Sequence, residues 1–453
     1  MGLHVIILAA GKGTRMRSNL PKVLHCVSGK PMIKRVVDAA QVLDPEKIHI
    51  VFSDQQLLEH LPLPDINWVE QKEQLGTGHA VLQTLPYIPD DARVLILCGD
   101  VPLITATTLN NFLNDTDADS VGVITVFLKN PYGFGRIVRD TNGFIQEIIE
   151  QKDANDEVRN IKEINSGIIS ISAEKLKRYL PKIETLNSQA EYYLTDVIKM
   201  AAEDNNAVIG FIVDTPEEVA GVNDREQLAN LERYQQQKIA QNLMCAGVTL
   251  MDPARLDVRG DAQIANDVII DVNVIFEGKV VIETGTNIAA NNILKNTRIG
   301  KNVTINANCV IEDAVIDDGC VIGPFARIRP GSRIASGAHI GNFVEVKNTK
   351  IGEGSKANHL SYLGDSVIGK RVNIGAGTIT CNYDGANKYQ TIIEDDVFVG
   401  SDVQFIAPVR IGKGATIGAG STIAQDVAAD KLTVCRAKNQ ITFDNWQRPL
   451  KKK

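Results

Sequence analysis

A chain of 453 residues is too long for one ordinary domain, and two or three are expected. With 44% hydrophobic and 23% charged residues it should fold as a soluble globular protein. The net charge of −7 argues against nucleic acid as the main partner, which needs a basic face, and the short tail PLKKK reads as a solvated terminus.

The first apolar run, VIILAA from Val5 to Ala10, is far too short to span a membrane and lacks the flanks of a signal peptide. It opens a series of short strands, VIIL, IHIVF and VLILC, that alternate with helical stretches such as PMIKRVVDAAQVL. There Pro31 suits a first helical position, and Ile33, Val36, Val37 and Ala40 fall on one face. This alternation predicts a mostly parallel sheet covered on both faces, an α/β Rossmann-like domain over 1–224. Its ligands are expected at the carboxyl ends of the strands.

The loop after that first strand, LAAGKGTRM followed by PK, looks built for phosphate yet fits neither common rule. Met16 stands where a Walker A loop needs its second Gly and where a dinucleotide fingerprint needs its third. Gly11 and Gly13 let backbone N–H groups approach an anion, Thr14 adds a hydroxyl, and Arg15 and Lys22 bring two cations. A second Gly-rich loop, QLGTGHA, is able to approach a base. LCGDVPLI places Asp100 just past the strand Val94 to Cys98, where a metal ligand reaches bound phosphates. Alone, such a loop is more simply a tight turn and Asp100 a capping aspartate. YGFGRIVR, EIIEQKD and EINSGI offer Gly135, Glu150 and Asn165 as sugar contacts, and GVNDR supplies Asn223.

From 225 to 246 runs a polar, Gln-rich stretch with a weak stripe at Leu228, Leu231 and Ile239 and a stop at Gly247, read as a linker helix. Over 247–453 the character changes. Aliphatics recur every sixth residue at Ile316, Ile322, Ile328, Ile334, Ile340 and Val346, and an apolar residue again at Ile393, Val399, Phe405, Ile411, Ile417 and Ile423. A period of six is neither a helix stripe nor a strand alternation. It is the hexapeptide repeat of a parallel β-helix, three sides to a coil of about eighteen residues. CNYDGANKYQ, Cys381 to Gln390, breaks the count and is expected to project as a polar loop suited to a site.

Such β-helices often only assemble trimers, but this one carries chemistry. Arg327 and Arg329, then Glu345 and Lys347, then His359 and Tyr362, then Asn373, Asn382 and Tyr383 lie where repeats favour small or apolar residues. Coils stack at the strand spacing of about 4.8 Å, which allows these side chains to converge. Arg329 and Lys347 suit a sugar phosphate. His359 suits the base that takes a proton as an amine attacks a thioester. Asn382, or a nearby backbone N–H, would polarise the thioester carbonyl.

LAAGKGTRM with PK resembles the signature of sugar-nucleotide pyrophosphorylases. With the repeat domain beside it, the chain resembles, nearly end to end and with every motif in order, the bacterial family of bifunctional N-acetylglucosamine-1-phosphate uridyltransferases and glucosamine-1-phosphate acetyltransferases. The resemblance implies a left-handed β-helix and a two-site enzyme. One half acetylates glucosamine-1-phosphate with acetyl-CoA, and the other transfers UMP from UTP to the product, giving UDP-N-acetylglucosamine for peptidoglycan and lipopolysaccharide. It implies that Leu8, Ala9, Ala10, Gly11, Lys22, Gln71, Gly76, Thr77, Cys98, Gly99 and Asp100 hold the nucleotide. Asp100 and Asn223 hold Mg²⁺, and Gly135, Glu150, Asn165 and Asn223 contact the product. A tyrosine often precedes the Gly-Asp pair in that family, and here Cys98 stands there. In the other half it implies His359 as proton acceptor and Arg329, Lys347, Tyr362 and Asn373 around the amino sugar phosphate. Ala376, Asn382, Tyr383, Ser401, Ala419 and Arg436 contact acetyl-CoA, in a groove between neighbouring β-helices that calls for a homotrimer.

Uridyl transfer needs little acid–base help, because the sugar phosphate is already an anionic nucleophile; positioning and charge neutralisation by Mg²⁺, Arg15 and Lys22 are expected to carry the rate. Seven scattered cysteines form no C-x-x-C pair, so the expected setting is reduced and cytoplasmic. The rival reading makes the chain a single-activity sugar-phosphate nucleotidyltransferase whose β-helix is a trimerisation scaffold. A scaffold has no need of His359 and Tyr362 beside the loop at Asn382.

Overall fold

The computed structural model describes residues 2–435. It divides into two compact units, one running to Gln235 and one starting at Gln236. Among the described residues, the first unit is built on a nine-stranded sheet. Its main path runs Val208–Ile212, Val121–Phe127, Glu163–Ser172, Arg93–Cys98, Leu3–Leu8, Lys47–Phe52 and Ile66–Glu70. All pairs along it are parallel except the two made by Glu163–Ser172. An antiparallel hairpin, Arg136–Arg139 with Ile145–Ile149, hangs from that strand.

Alternation along the central strand sends its side chains to two separate cores. Val5 and Ile7 pack with Ile33, Val36, Val37 and Ala40 of the helix Met32–Gln41, while Ile6 packs on the other face with Val81, Leu176 and Ile198. Leu8, at the strand's end, pairs with Cys98 on one side and Val51 on the other. The loop after Leu8 and the turn at Gly99–Asp100 therefore leave the sheet side by side.

The first unit also buries an uncommon pair. His49 is 1% exposed and stacks on His4 with ring centroids 5.4 Å apart. Its two nitrogens lie 3.1 Å from His4 Nδ1 and 2.9 Å from the Asn67 amide. Burial, with the charges of His4 and Lys47 adding, pushes His49 down to about 4 from the ordinary 6.5. The folded state thus favours neutral His49. Its contribution is full above pH 6.5 and is lost as the pH falls from 6.5 toward 4, about 3 kcal/mol at most. The unfolding temperature of the wild type is expected to fall more steeply across that window than that of His49→Gln. Parallel slopes would sink the assignment.

The second unit is a parallel β-helix whose short strands form three columns, one an 11-stranded sheet and two merged in a 17-stranded one, among the described residues. Ile316 pairs with Ile334, Ile322 with Ile340 and Ile328 with Val346, each 18 residues on. Other coils take 17, as in Ile299 with Ile316. All twelve hexapeptide positions are buried, none above 3% exposure. The break is an insertion: Ile368 pairs with Ile393 and Asn373 with Phe398, 25 residues on. The surplus forms a loop exposed from Tyr383 to Gln390 and pinned by a bridge between Tyr383 and Lys388.

Corners between columns turn through left-handed residues, commonly Gly, Asn or Asp. One edge instead carries Phe325, Phe343 and Leu360 at positive φ, all exposed, with the two rings stacked 5.3 Å apart. The helix Arg225–Cys245 crosses the division between the units. Leu231 packs into the first and Ile239 against the core of the second. Among the described residues no helix is long and apolar enough to cross a membrane.

Candidate active sites

In the first unit a cavity of about 370 Å³ opens where the strand ends gather. Leu8, Ala9, Ala10, Gly11, Lys22, Gln71, Gly76, Thr77, Cys98 and Asp100 line it, ten positions brought together from four separate segments. Gly99 joins them through its N–H, which donates to Leu8 O at 2.9 Å. The loop turns through Gly13 at φ 58 into a tight turn, Thr14–Met16. Met16 is 1% exposed and packs with Val27, Met32 and Val222, so the residue that spoils both phosphate-loop rules is a core anchor of this loop. Gly76 has φ 113, and a Cβ there would lie 2.6 Å from Tyr192 O; only glycine fits this turn. Its carbonyl accepts from Gln71 Nε2 at 3.2 Å, and Thr77 Oγ1 accepts from Leu194 N at 3.1 Å, which fixes the second Gly-rich loop.

Lys22 Nζ is paired with Asp100 Oδ2 and lies 3.1 Å from Asn223 Oδ1. One carboxylate and one amide oxygen thus converge on a single cationic position. These are hard oxygen donors, and two of them suit Mg²⁺, which keeps several waters and is commonly shared with substrate phosphates. Among the described residues no group of three or more His, Cys, Asp and Glu could hold a metal ion.

Gly135, Glu150 and Asn165 form a second group. Asn165 N donates to Gly135 O at 3.0 Å, and a Cβ on Gly135 would lie 3.3 Å from Glu150 Oε1. Burial pushes Glu150 above the usual carboxylate range, although the Thr195 hydroxyl, 3.4 Å away, and Arg136 act the other way. Cys98, where a tyrosine was the commoner expectation, is pushed up to about 12 by burial and by Asp100. Its thiol stays protonated and acts as a small apolar wall near Gly167.

Arg15 is not brought to the cavity: the turn leaves it exposed, and Lys12 of the same loop lines the cavity instead. Gln74 and Glu191 line it too. Gln74 Nε2 donates to Ala10 O at 2.6 Å and Ser53 Oγ at 2.7 Å, tying the two Gly-rich loops together. A carboxamide two residues before Gly76 was the only trace of this in the sequence.

In the β-helix the outward residues of one column come together as the strand period requires. Arg327, Glu345 and Tyr362 follow one another in register, and Lys347 pairs with Gly364. Arg329 Nη1 pairs with Glu345 Oε1 at 2.8 Å, and Arg327 pairs with Glu312 at 2.5 Å. The Tyr362 ring runs along its own strand, its hydroxyl 2.4 Å from where a Gly364 Cβ would stand, so Gly364 makes room for it.

His359 ends a strand of the adjoining column and is exposed, with Nδ1 2.9 Å from Asn342 Oδ1, its register partner one coil earlier. Lys356 pairs with Asn373, so Ala376, three residues further on, follows His359 in that column. Asn373 pairs with Phe398 and Phe398 with Thr416, which brings Ser401 and then Ala419 next. His359, Ala376, Ser401 and Ala419 thus mark one continuous edge. Asn382 is buried at the root of the inserted loop and gives its amide to Asp365, while Tyr383 stands exposed with its hydroxyl on Gly385 O at 2.6 Å. Arg436 lies outside the described residues. Asn342 escaped the sequence reading, although it sits one 17-residue coil before His359.

A family model described as MobA-like NTP transferase domain matches residues 5–155. One described as Bacterial transferase hexapeptide (six repeats) matches 296–330, 313–348 and 390–425. The protein called Bifunctional protein GlmU of Coxiella burnetii (strain CbuK_Q154) is 53% identical over 458 residues, covering 100% of both chains. Proteins of the same name from Marinobacter nauticus and Herminiimonas arsenicoxydans are each 52% identical over 451 residues, covering 99% of both chains.

Proposed function

Because the chain belongs to the GlmU family of bifunctional proteins, we propose that each of its two units carries one of its two activities. It is a bifunctional transferase, acetylating glucosamine-1-phosphate with acetyl-CoA and joining UMP from UTP to the resulting N-acetylglucosamine-1-phosphate. The observation that carries the division is that two separate constellations, one around Lys22 and Asp100 and one around Arg329, Lys347 and His359, lie on different units.

In the first unit the cavity holds UTP, with backbone N–H groups of the loop after Leu8 and the cations Lys12 and Lys22 against its phosphates. Gly135, Glu150 and Asn165 take the sugar. Asp100 and Asn223 would hold Mg²⁺, whose chemistry there would be charge neutralisation of the phosphates. The sugar phosphate attacks the α-phosphate of UTP and pyrophosphate leaves, with Lys12 and Lys22 placed against the phosphates. Arg15, on the exposed side of the same loop, is left to the pyrophosphate end of the nucleotide.

In the second unit the acceptor for the His359 ring is an amide oxygen, which requires a proton on Nδ1 and leaves the Nε2 lone pair free as the base. That base takes the proton released as the amine attacks the acetyl thioester. Arg329 and Lys347, with Tyr362 and Asn373 nearby, take the phosphate and ring of the amino sugar. The edge through Ala376, Ser401 and Ala419, with Asn382, Tyr383 and Arg436, takes acetyl-CoA. Small side chains there leave room for a long cofactor. The exposed apolar edge at Phe325, Phe343 and Leu360 supports a homotrimer.

Two independent sites should not compete. Acetyl-CoA consumption with glucosamine-1-phosphate is expected to be unaffected by saturating UTP, and pyrophosphate release from UTP and N-acetylglucosamine-1-phosphate unaffected by saturating acetyl-CoA. Mutual inhibition would contradict the division.

A further inference from the structure

A second cavity of the first unit, about 510 Å³, lies under the loop Asn130–Arg136 and against the segment Gln151–Lys162. Arg136, Lys152, Arg159 and Lys162 line it, and no carboxylate among the described residues does. Arg159 is partly neutralised by Asp156 at 3.1 Å. Among the described residues the two lysines reach only neutral oxygens, Lys152 at Gln189 Oε1 and Lys162 at Lys129 O.

Exposed lysines alone would be an ordinary solvated face. Arg136 is different: it is 1% exposed, the largest fully buried side chain of the described residues. Its Nη groups are held by Phe134 O and by Gln151 Oε1, both uncharged, and its buried Nε has no hydrogen-bond partner among the described residues. Burial pushes it below an arginine's usual range, and Glu150 offsets this only in part. Three residues along the same hairpin, Arg139 has a carboxylate at 2.6 Å in Glu163. A buried guanidinium whose hydrogen bonds end on neutral oxygens, with one nitrogen unpartnered, is costly, and the fork of an arginine flanked by lysines is the donor set that phosphate oxygens satisfy.

We propose that this cavity is a second anion site, taking a phosphate-bearing small molecule separately from the nucleotide cavity. Arg136 directly follows Gly135, and Gln151 directly follows Glu150. The site proposed for the anion is therefore adjacent in sequence, at both ends of the hairpin, to residues assigned to the sugar.

Hydrogen–deuterium exchange of the intact chain tests it, with inorganic phosphate titrated against chloride at constant ionic strength. Amides of residues 130–136 and 151–162 are expected to gain saturable protection from phosphate and none from chloride. In the double variant Lys152→Glu, Lys162→Glu the midpoint should weaken by about tenfold or more, with pyrophosphate release retained. Phosphate-independent exchange in the wild type, or an unchanged midpoint in the variant, overturns the proposal. Should the double variant fold poorly, Lys162→Ala, an exposed side chain, gives the same comparison. Parallel titrations with glucosamine-1-phosphate distinguish a sugar phosphate from free phosphate by which protects these segments at lower concentration.

Discussion

Replacing His359 by alanine is expected to lower acetyl transfer by about 100- to 10,000-fold while pyrophosphate release from UTP stays at the wild-type rate. The loss has a specific origin. His359 is exposed at the end of its strand and is no part of the β-helix core, so its removal opens no cavity and leaves the coil intact. On the proposed role of His359, what disappears is the base whose free nitrogen is selected by Asn342, one coil away. Asn342→Ala should therefore reduce acetyl transfer in the same direction but less, by about 10- to 100-fold, because the ring is then free to present either tautomer. Both substitutions lie in the second unit, and both should leave uridyl transfer alone. An His359→Ala protein that still acetylates at the wild-type rate would mean that another group takes the proton.

How much of this was visible beforehand depended on the range of the interactions involved. The β-helix was legible because its rule is local: one inward aliphatic per six residues, as at Ile328, Ile334 and Ile340, dictates the coil whatever lies elsewhere. The coil length was less so, since a 17-residue turn such as Ile299 to Ile316 only shortens a corner and leaves the inward pattern intact. In the first unit the alternation announced a parallel sheet. It did not announce that Glu163–Ser172 would enter antiparallel, because strand direction is decided by pairing with Arg93–Cys98 some 70 residues away. Motif glycines and Asp100 were readable from strand-end position. The orientation of Arg15 and Lys12 was not, because it hangs on two left-handed residues, Gly13 and Arg17, and on Met16 reaching into the core. Asn342 needed the coil register before its pairing with His359 had any meaning.

Replacing Asp100 by asparagine is expected to lower uridyl transfer by about 100- to 1,000-fold, with acetyl transfer unchanged. The substitution keeps the size of the side chain and an oxygen for Lys22, so the turn after Cys98, held by Gly99 N on Leu8 O, has no reason to move. What it removes is the single negative charge of the Asp100–Asn223 pair. Lys22 occupies the position between those two oxygens, so a divalent cation taking that position would have to displace its ammonium and would free its charge for phosphate. With two neutral amides the site loses most of its preference for a doubly charged ion over Lys22. The apparent affinity for Mn²⁺, read by its electron paramagnetic resonance signal in the absence of nucleotide, should fall in Asp100→Asn and rise in Lys22→Met, where the competitor is gone. Chelation of divalent ions should abolish uridyl transfer and spare acetyl transfer, whose chemistry rests on a proton acceptor and two cations of the chain. If Lys22→Met bound Mn²⁺ no better than the wild type, Lys22 would not be a competitor for the metal position, and its place between Asp100 and Asn223 would be a structural ion pair.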